Sequence, residues 1–203
     1  VGFNRRFSSH ATKIIEFFKG RRNPLVMVYR VNAGSLAPTH WVQDPEVGGG
    51  RIIGEACHFV DFMQAVCGAR PTSVHAARIG GHTSGMADDQ SLMSLTFNDG
   101  SIGSVVYTAG GDTGLAKERF EAFGDGKAVT LDDFAVTEFY AQGKRTKYKT
   151  NVRDKGFEQE MRRFTESVAQ GAEPAMRFDE IYAVTRACLL AAGGLKTGAV
   201  YDV

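Results

Sequence analysis

Apolar and polar positions change their period several times along the chain. Residues 10–19, HATKIIEFFK, repeat at helical spacing behind Ser8 and Ser9, which can cap them, and Gly20 ends the run. The opening VGFNRRF alternates like a strand, and residues 24–32, PLVMVYRVN, are β-rich and predict another. A loop over 33–50 follows, with two prolines, four glycines and the only tryptophan. Residues 51–67 return to helical spacing until Gly68 and Pro71 stop them. From Thr72 a period of two dominates. Asp99-Gly100 and Asp125-Gly126 each separate two alternating runs, a hairpin signature, and Gly143 turns a third pair. Roughly six to eight mainly antiparallel strands result. Two helices close the chain. The first, FEQEMRRFTESVAQG, carries Phe157, Met161, Phe164 and Val168 on one stripe, and DEIYAVTRACLLAAGG is the second. Helices with strands first, hairpins next, helices last: this order predicts an α+β domain, a mainly antiparallel sheet with helices on one face.

Composition narrows the class. The 203 residues suit one domain, and 43% apolar content supplies a core. Twenty-four basic residues nearly balance 23 acidic ones, so charge points to neither nucleic acid nor an anionic membrane. No apolar run approaches the roughly 20 residues of a membrane helix. Cys57, Cys67 and Cys188 form no C-x-x-C and are odd in number, which fits a reducing cytoplasm better than a disulfide framework. The chain opens at Val1 without methionine and reads as the tail of a longer protein.

The chemistry concentrates in residues 48–62, GGGRIIGEACHFVDF. Gly48, Gly49, Gly50 and Gly54 miss the G-x-G-x-x-G spacing by one, and no strand precedes them, so a dinucleotide site in this segment is rejected. On a helix, Glu55, His58, Asp61 and Gln64 form a slanting polar row opposite Phe59 and Met63. A neutral imidazole flanked by carboxylates can take a proton near pH 7, as alcohol oxidation requires. Gly49 and Gly50 would let substrate or cofactor approach the helix start. Against this, a histidine on a half-apolar helix is more often a core residue than a catalyst. A metal site built from Glu55, Cys57 and His58 is disfavoured, because no second histidine lies in helical register.

Arg5 can line a site from the opening strand or pair at the surface. Asn32, His40 and Trp41 lie on the loop leading to the glycines, where Trp41 can stack on a sugar ring. Arg51, at the helix start, can meet a phosphate or carboxylate. Residues 80–89, with His82, read as a connector or lid. GKRTKYKT reads as an exposed edge strand guarded by lysines.

Taken in series, VGFNRRFS, HW…GGGRIIGEACHFVDF, FNDGSIGSVVYTA, KERFEAFGDGKAVTLDD and LKTGAVYDV resemble the C-terminal domain of the glucose–fructose oxidoreductase / inositol dehydrogenase / MocA-like family. The resemblance is nearest to a branch with an alcohol-dehydrogenase-like part upstream. It implies a large open sheet whose face serves for homo-oligomerisation, and a bi-domain enzyme oxidising a hydroxyl of a sugar, sugar nucleotide or polyol. It implies NAD or NADP held mainly by an N-terminal Rossmann domain that this chain lacks, so that residues 1–203 alone are inactive. The family histidine falls on His58 and its later acidic residue on Asp61. The family aspartate four residues before the histidine is here Gly54, and Glu55 is the nearest substitute. The rival reading is a non-catalytic oligomerisation or ligand-sensing module that keeps the fold.

Overall fold

A computed structural model describes residues 1–44, 46–80 and 89–203. The loop bearing His82 lies largely outside them. Helix α1 (Ser9–Phe18) is capped by Ser8, whose hydroxyl accepts from the Ala11 amide at 2.9 Å. Strand β1 (Val26–Asn32) follows, and helix α2 (Cys57–Cys67) ends at Gly68 in the left-handed region. Strands β2 (Pro71–Arg78), β3 (Gln90–Phe97), β4 (Ile102–Thr108), β5 (Glu118–Gly124), β6 (Lys127–Asp132), β7 (Val136–Ala141) and β8 (Lys144–Lys149) come next. Helices α3 (Phe157–Gln170) and α4 (Phe178–Gly194) and a short β9 (Val200–Asp202) complete the chain.

The nine strands form one open sheet in the order β8-β7-β6-β5-β1-β4-β3-β2-β9. Every neighbouring pair is antiparallel except β1 and β4, which run parallel because α2 and β2–β3 intervene between them in sequence. The hairpins turn where expected, and Asp125-Gly126 and Gln142-Gly143 all adopt positive φ, the conformation that two-residue hairpins need.

Helices α1, α2 and α4 cover one face. Phe59, Phe62 and Met63 of α2 are fully buried, and Phe62 meets Tyr29, Phe120 and Phe134 edge-on at 4.9–5.7 Å. Close approach of α2 requires Gly103 on β4, where a Cβ would lie 2.7 Å from the Met63 sulfur. Each buried ring removes enough apolar area to stabilise the fold by about 2–3 kcal/mol.

Three expectations need correction. The opening segment is a 3-10 turn, Asn4–Phe7, because Asn4 and Arg5 are drawn into buried polar contacts that a strand would not reach. The helix over 51–67 is not uniform: Ile52–Ala56 form a π turn ahead of α2. The closing LKTGAVYDV contributes the three-residue strand β9, whose pairing with β2 depends on distant partners.

Candidate active site

The site lies where β1 and β4 end and β5 begins. Val31 on β1 pairs with Tyr107 on one side and Glu118 on the other, so one buried row crosses three strands. The π turn and the first turn of α2 lie against this row. A π turn winds more slowly than an α-helix and shifts the residues before it around the axis. Glu55, inside the π turn, is therefore displaced from the polar row, while His58, Asp61 and Gln64 stand on the regular helix α2.

Glu55 points to the sheet. Its carboxylate pairs with the Lys117 ammonium, accepts from the Tyr107 hydroxyl, and lies 3.8 Å from the Arg51 guanidinium. Burial alone would raise its pKa, but the Lys117 and Tyr107 hydrogen bonds hold it below the usual carboxylate value. The Tyr107 hydroxyl is pushed up by burial and by that same carboxylate.

A second carboxylate stands beside the first. Glu118 accepts two hydrogen bonds from Arg5 at 2.7 and 2.9 Å, one from Tyr29 at 2.7 Å and one from Lys155 at 2.6 Å. Burial opposes ionisation, yet Arg5 and Lys155 bring its pKa down to about 2. Arg5 is thus neither a strand residue nor a surface pair. It is 6% exposed, and its guanidinium lies 4.9 Å from the Phe59 ring centroid.

His58 is partly buried between these two clusters, with Phe3 edge-on at 5.9 Å. Its Nδ1 is buried and has no hydrogen-bond partner among the described residues. Burial and the Arg5 and Lys117 charges lower its pKa to about 4, against a weaker opposing pull from Glu55 and Glu118. Burial thus favours the neutral ring, and its unpartnered Nδ1 is left for a group from outside the described residues. Phe3 places it on the side of the molecule where the chain begins.

Asp61 is not a partner of His58. Its carboxylate takes two hydrogen bonds from Arg6, at 2.6 and 3.0 Å, and Arg6 also pairs with Glu180 at 2.7 Å. Burial pushes the Asp61 carboxyl up to about 7 against the pull of that guanidinium. The pair ties α2 to the 3-10 turn and α4.

The remaining candidates divide. Arg51 is buried rather than solvated. It donates to the Gly34 carbonyl at 3.2 Å and lies 5.4 Å from the Tyr107 ring centroid, so it borders the Glu55 cluster. Asn32 anchors a loop, donating to the carbonyls of Asp112 at 2.6 Å and Leu115 at 3.3 Å. His40 caps the 3-10 turn Trp41–Gln43, with its ring 5.9 Å from that of Trp41, which stands exposed. Neither ring reaches His58 or Glu55 through a hydrogen bond or ring contact among the described residues.

The glycine run has folding reasons of its own. A Cβ on Gly48 would lie 2.4 Å from the Val42 backbone, and Gly49 and Gly50 sit at φ 67° and 82°. A 3-10 turn precedes the run instead of a strand. These residues do not fit a dinucleotide cradle. At Gly54 an added Cβ would meet nothing closer than 3.6 Å, so space does not forbid a side chain there. The Cys57 thiol is pushed by burial up to about 11 and is no thiolate. No group of three His, Cys, Asp or Glu side chains is arranged to hold a metal among the described residues.

The sequence reading missed Tyr29, Tyr107, Lys117, Glu118 and Lys155. One signal was present: alternation places Glu118 on the face of Phe120 and Ala122, a carboxylate where β5 points into the core.

The family profile of the GFO/IDH/MocA C-terminal domain matches residues 23–130. The chain belongs to that family. No curated protein matches it. Among solved structures, this GFO/IDH/MocA domain is similar to an oxidoreductase domain protein from Kribbella flavida, with TM-score 0.83 and 17% identity over 100% of this chain and 66% of that one. It is similar to the aldose–aldose oxidoreductase from Caulobacter crescentus complexed with glycerol, with TM-score 0.80 and 15% identity over 100% and 63%. It is also similar to levoglucosan dehydrogenase in complex with NADH and levoglucosan, with TM-score 0.81 and 16% identity over 100% and 65%. At such identities the likeness is one of fold. The chain spans a little under two thirds of those proteins.

Proposed function

We propose that this chain is the substrate-side domain of an NAD(P)-dependent oxidoreductase acting on a hydroxyl of a sugar, sugar nucleotide or polyol. The observation that carries the reading is an imidazole whose buried Nδ1 has no partner, beside two cation-bound carboxylates. His58 takes the hydroxyl proton, Lys117 lends positive charge to the alkoxide side, and Glu55 holds Lys117 and Tyr107 in place. NAD or NADP supplies the hydride acceptor and is held by a Rossmann domain outside this chain. Family membership and the sugar and NADH ligands of the similar structures support the assignment. The uncovered sheet face carries Val26, Leu92, Ile102 and Phe123 in the open, which suits pairing with a second copy. Three free cysteines fit a reducing, cytoplasmic setting.

One observation favours the rival reading of a non-catalytic module. Among the described residues, five prominent surface clefts measure 340–430 Å³, and His58, Trp41 and Arg51 line none of these five. The deciding experiment is His58→Asn in the polypeptide that includes the nucleotide-binding domain, assayed for NAD(P) reduction over a panel of sugars and polyols. Loss of about 10²–10⁴ in kcat is expected for removal of a general base. Turnover equal to that of the parent protein excludes the catalytic assignment.

A further inference from the structure

A second histidine, His10 near the start of α1, is fully enclosed and takes no part in the cluster around His58. Both of its ring nitrogens meet threonine hydroxyls. Nδ1 lies 2.7 Å from Thr137 Oγ1 on β7, and Nε2 lies 3.0 Å from Thr150 Oγ1, just past β8. Counting donors and acceptors fixes the proton. The Thr150 hydroxyl donates to the Val152 carbonyl at 2.7 Å, so towards the ring it can only accept. Nε2 therefore carries the hydrogen, and Nδ1 accepts from the Thr137 hydroxyl. A second proton, on Nδ1, would turn that hydroxyl away from its only hydrogen-bond partner among the described residues. The Tyr148 and Phe134 rings stand edge-on at 4.9 and 6.4 Å and offer no acceptor in its place. Burial and the Lys13 ammonium on α1 oppose a charged ring, and they outweigh the Asp154 carboxylate and the Phe134 carbonyl, which favour one, so the pKa falls below the ordinary 6.5.

The segment 150–156, which joins β8 to α3, is fastened at this histidine. The ring holds the Thr150 hydroxyl, and the Asp154 carboxylate accepts from the amide of Ser9, the residue before His10, at 2.8 Å. One residue further, the Lys155 ammonium donates to Glu118 at 2.6 Å and is one of the two cations that keep that carboxylate ionised. We propose that His10 is a proton-sensitive latch: neutral, it clips residues 150–156 to α1 and keeps Lys155 on Glu118, and protonated, it lets the segment go. The released form binds the proton more readily than the folded one, so the latch is complete above pH 6.5 and opens as pH falls below that value. The cluster around His58 then loses a cation without any change in its own residues. The latch stands whether or not the oxidoreductase reading does, because it rests on contacts outside that cluster.

Nuclear magnetic resonance of the 203-residue chain with isotope-labelled histidine reads the tautomer and the titration of His10. Hydrogen exchange reads the amides of Thr150 and Asp154, which donate to the Ala135 and Phe134 carbonyls. At neutral pH the ring hydrogen is expected on Nε2. On acidification the ring protonates below pH 6.5, and in the same transition the two amides lose protection by about ten-fold or more, while β3 and β4 keep theirs. His10→Gln offers a donor and an acceptor but cannot titrate, so its Thr150 and Asp154 amides are expected to stay protected through that transition. A hydrogen on Nδ1 overturns the proposal, as does protonation of the ring at pH 6.5 or above. Protonation of the ring with both amides still protected overturns it too. An equal acid transition in His10→Gln assigns the release to another group and has the same consequence. If His10→Gln does not fold, the tautomer and the coincidence of the two transitions in the parent chain decide the matter.

Discussion

Helices α2 and α3 both carry an apolar stripe, broad on the mostly apolar α2 and narrow on the mostly polar α3, and meet opposite fates. Of the 11 residues of α2, eight are buried, and of the 14 residues of α3, none is. The stripe of α2 closes on aromatic residues of β1 and β5, which sit directly beneath it. Among the described residues, the main support below α3 is a short turn. An apolar stripe thus states that a helix requires a covering surface, and says nothing about which chain supplies it.

The contrast can be broken experimentally, beginning with α2. Phe62→Ala removes a ring enclosed by three others and should cost about 3–5 kcal/mol in urea denaturation of the 203-residue chain. A loss below about 1 kcal/mol would mean that α2 is no better packed than α3.

A smaller effect comes from titration on α2. His58 has a folded pKa near 4 and an ordinary value of 6.5, so the unfolded chain binds the proton first. Stability from this group is complete above pH 6.5 and is lost as pH falls towards 4. The loss is of order 2 kcal/mol once solvent access to the partly buried ring is allowed for. Asp61 acts oppositely: raised from 3.8 to about 7, it adds stability as pH falls through the same window. The two slopes offset each other in the parent protein. His58→Asn removes only the first, so the variant should gain relative stability of that size between pH 7.5 and 4.5. Identical pH profiles would show that the ring is not held neutral.

The smallest effect belongs to α3. Phe164→Glu should change the stability of the 203-residue chain by less than about 0.5 kcal/mol, because the side chain is already in water. A loss as large as that of Phe62→Ala would place a hidden partner on α3 within this chain.

Much of the fold was readable from local chemistry. Asp99-Gly100, Asp125-Gly126 and Gly143 marked turns because left-handed backbone favours so few residues, and Ser8 marked a helix start because its hydroxyl meets a free amide. His58 was found in the same way, as an imidazole at a glycine-led helix start. Its surroundings were not. Arg5 and Lys155 reach Glu118 across 113 and 37 residues, and Lys117 reaches Glu55 across 62. Wheel geometry gave Asp61 to His58, whereas the Arg6 guanidinium, out of reach of any local reading, takes both of its oxygens.

By itself the sequence determined the elements, the α+β class and the position of the imidazole, since each follows from residues within a few positions of one another. Only the tertiary structure decided which carboxylate faces that imidazole, which arginines are buried, and which apolar stripe stays in water. Burial and charge pairing act through space, and the partners they select lie far apart along the chain.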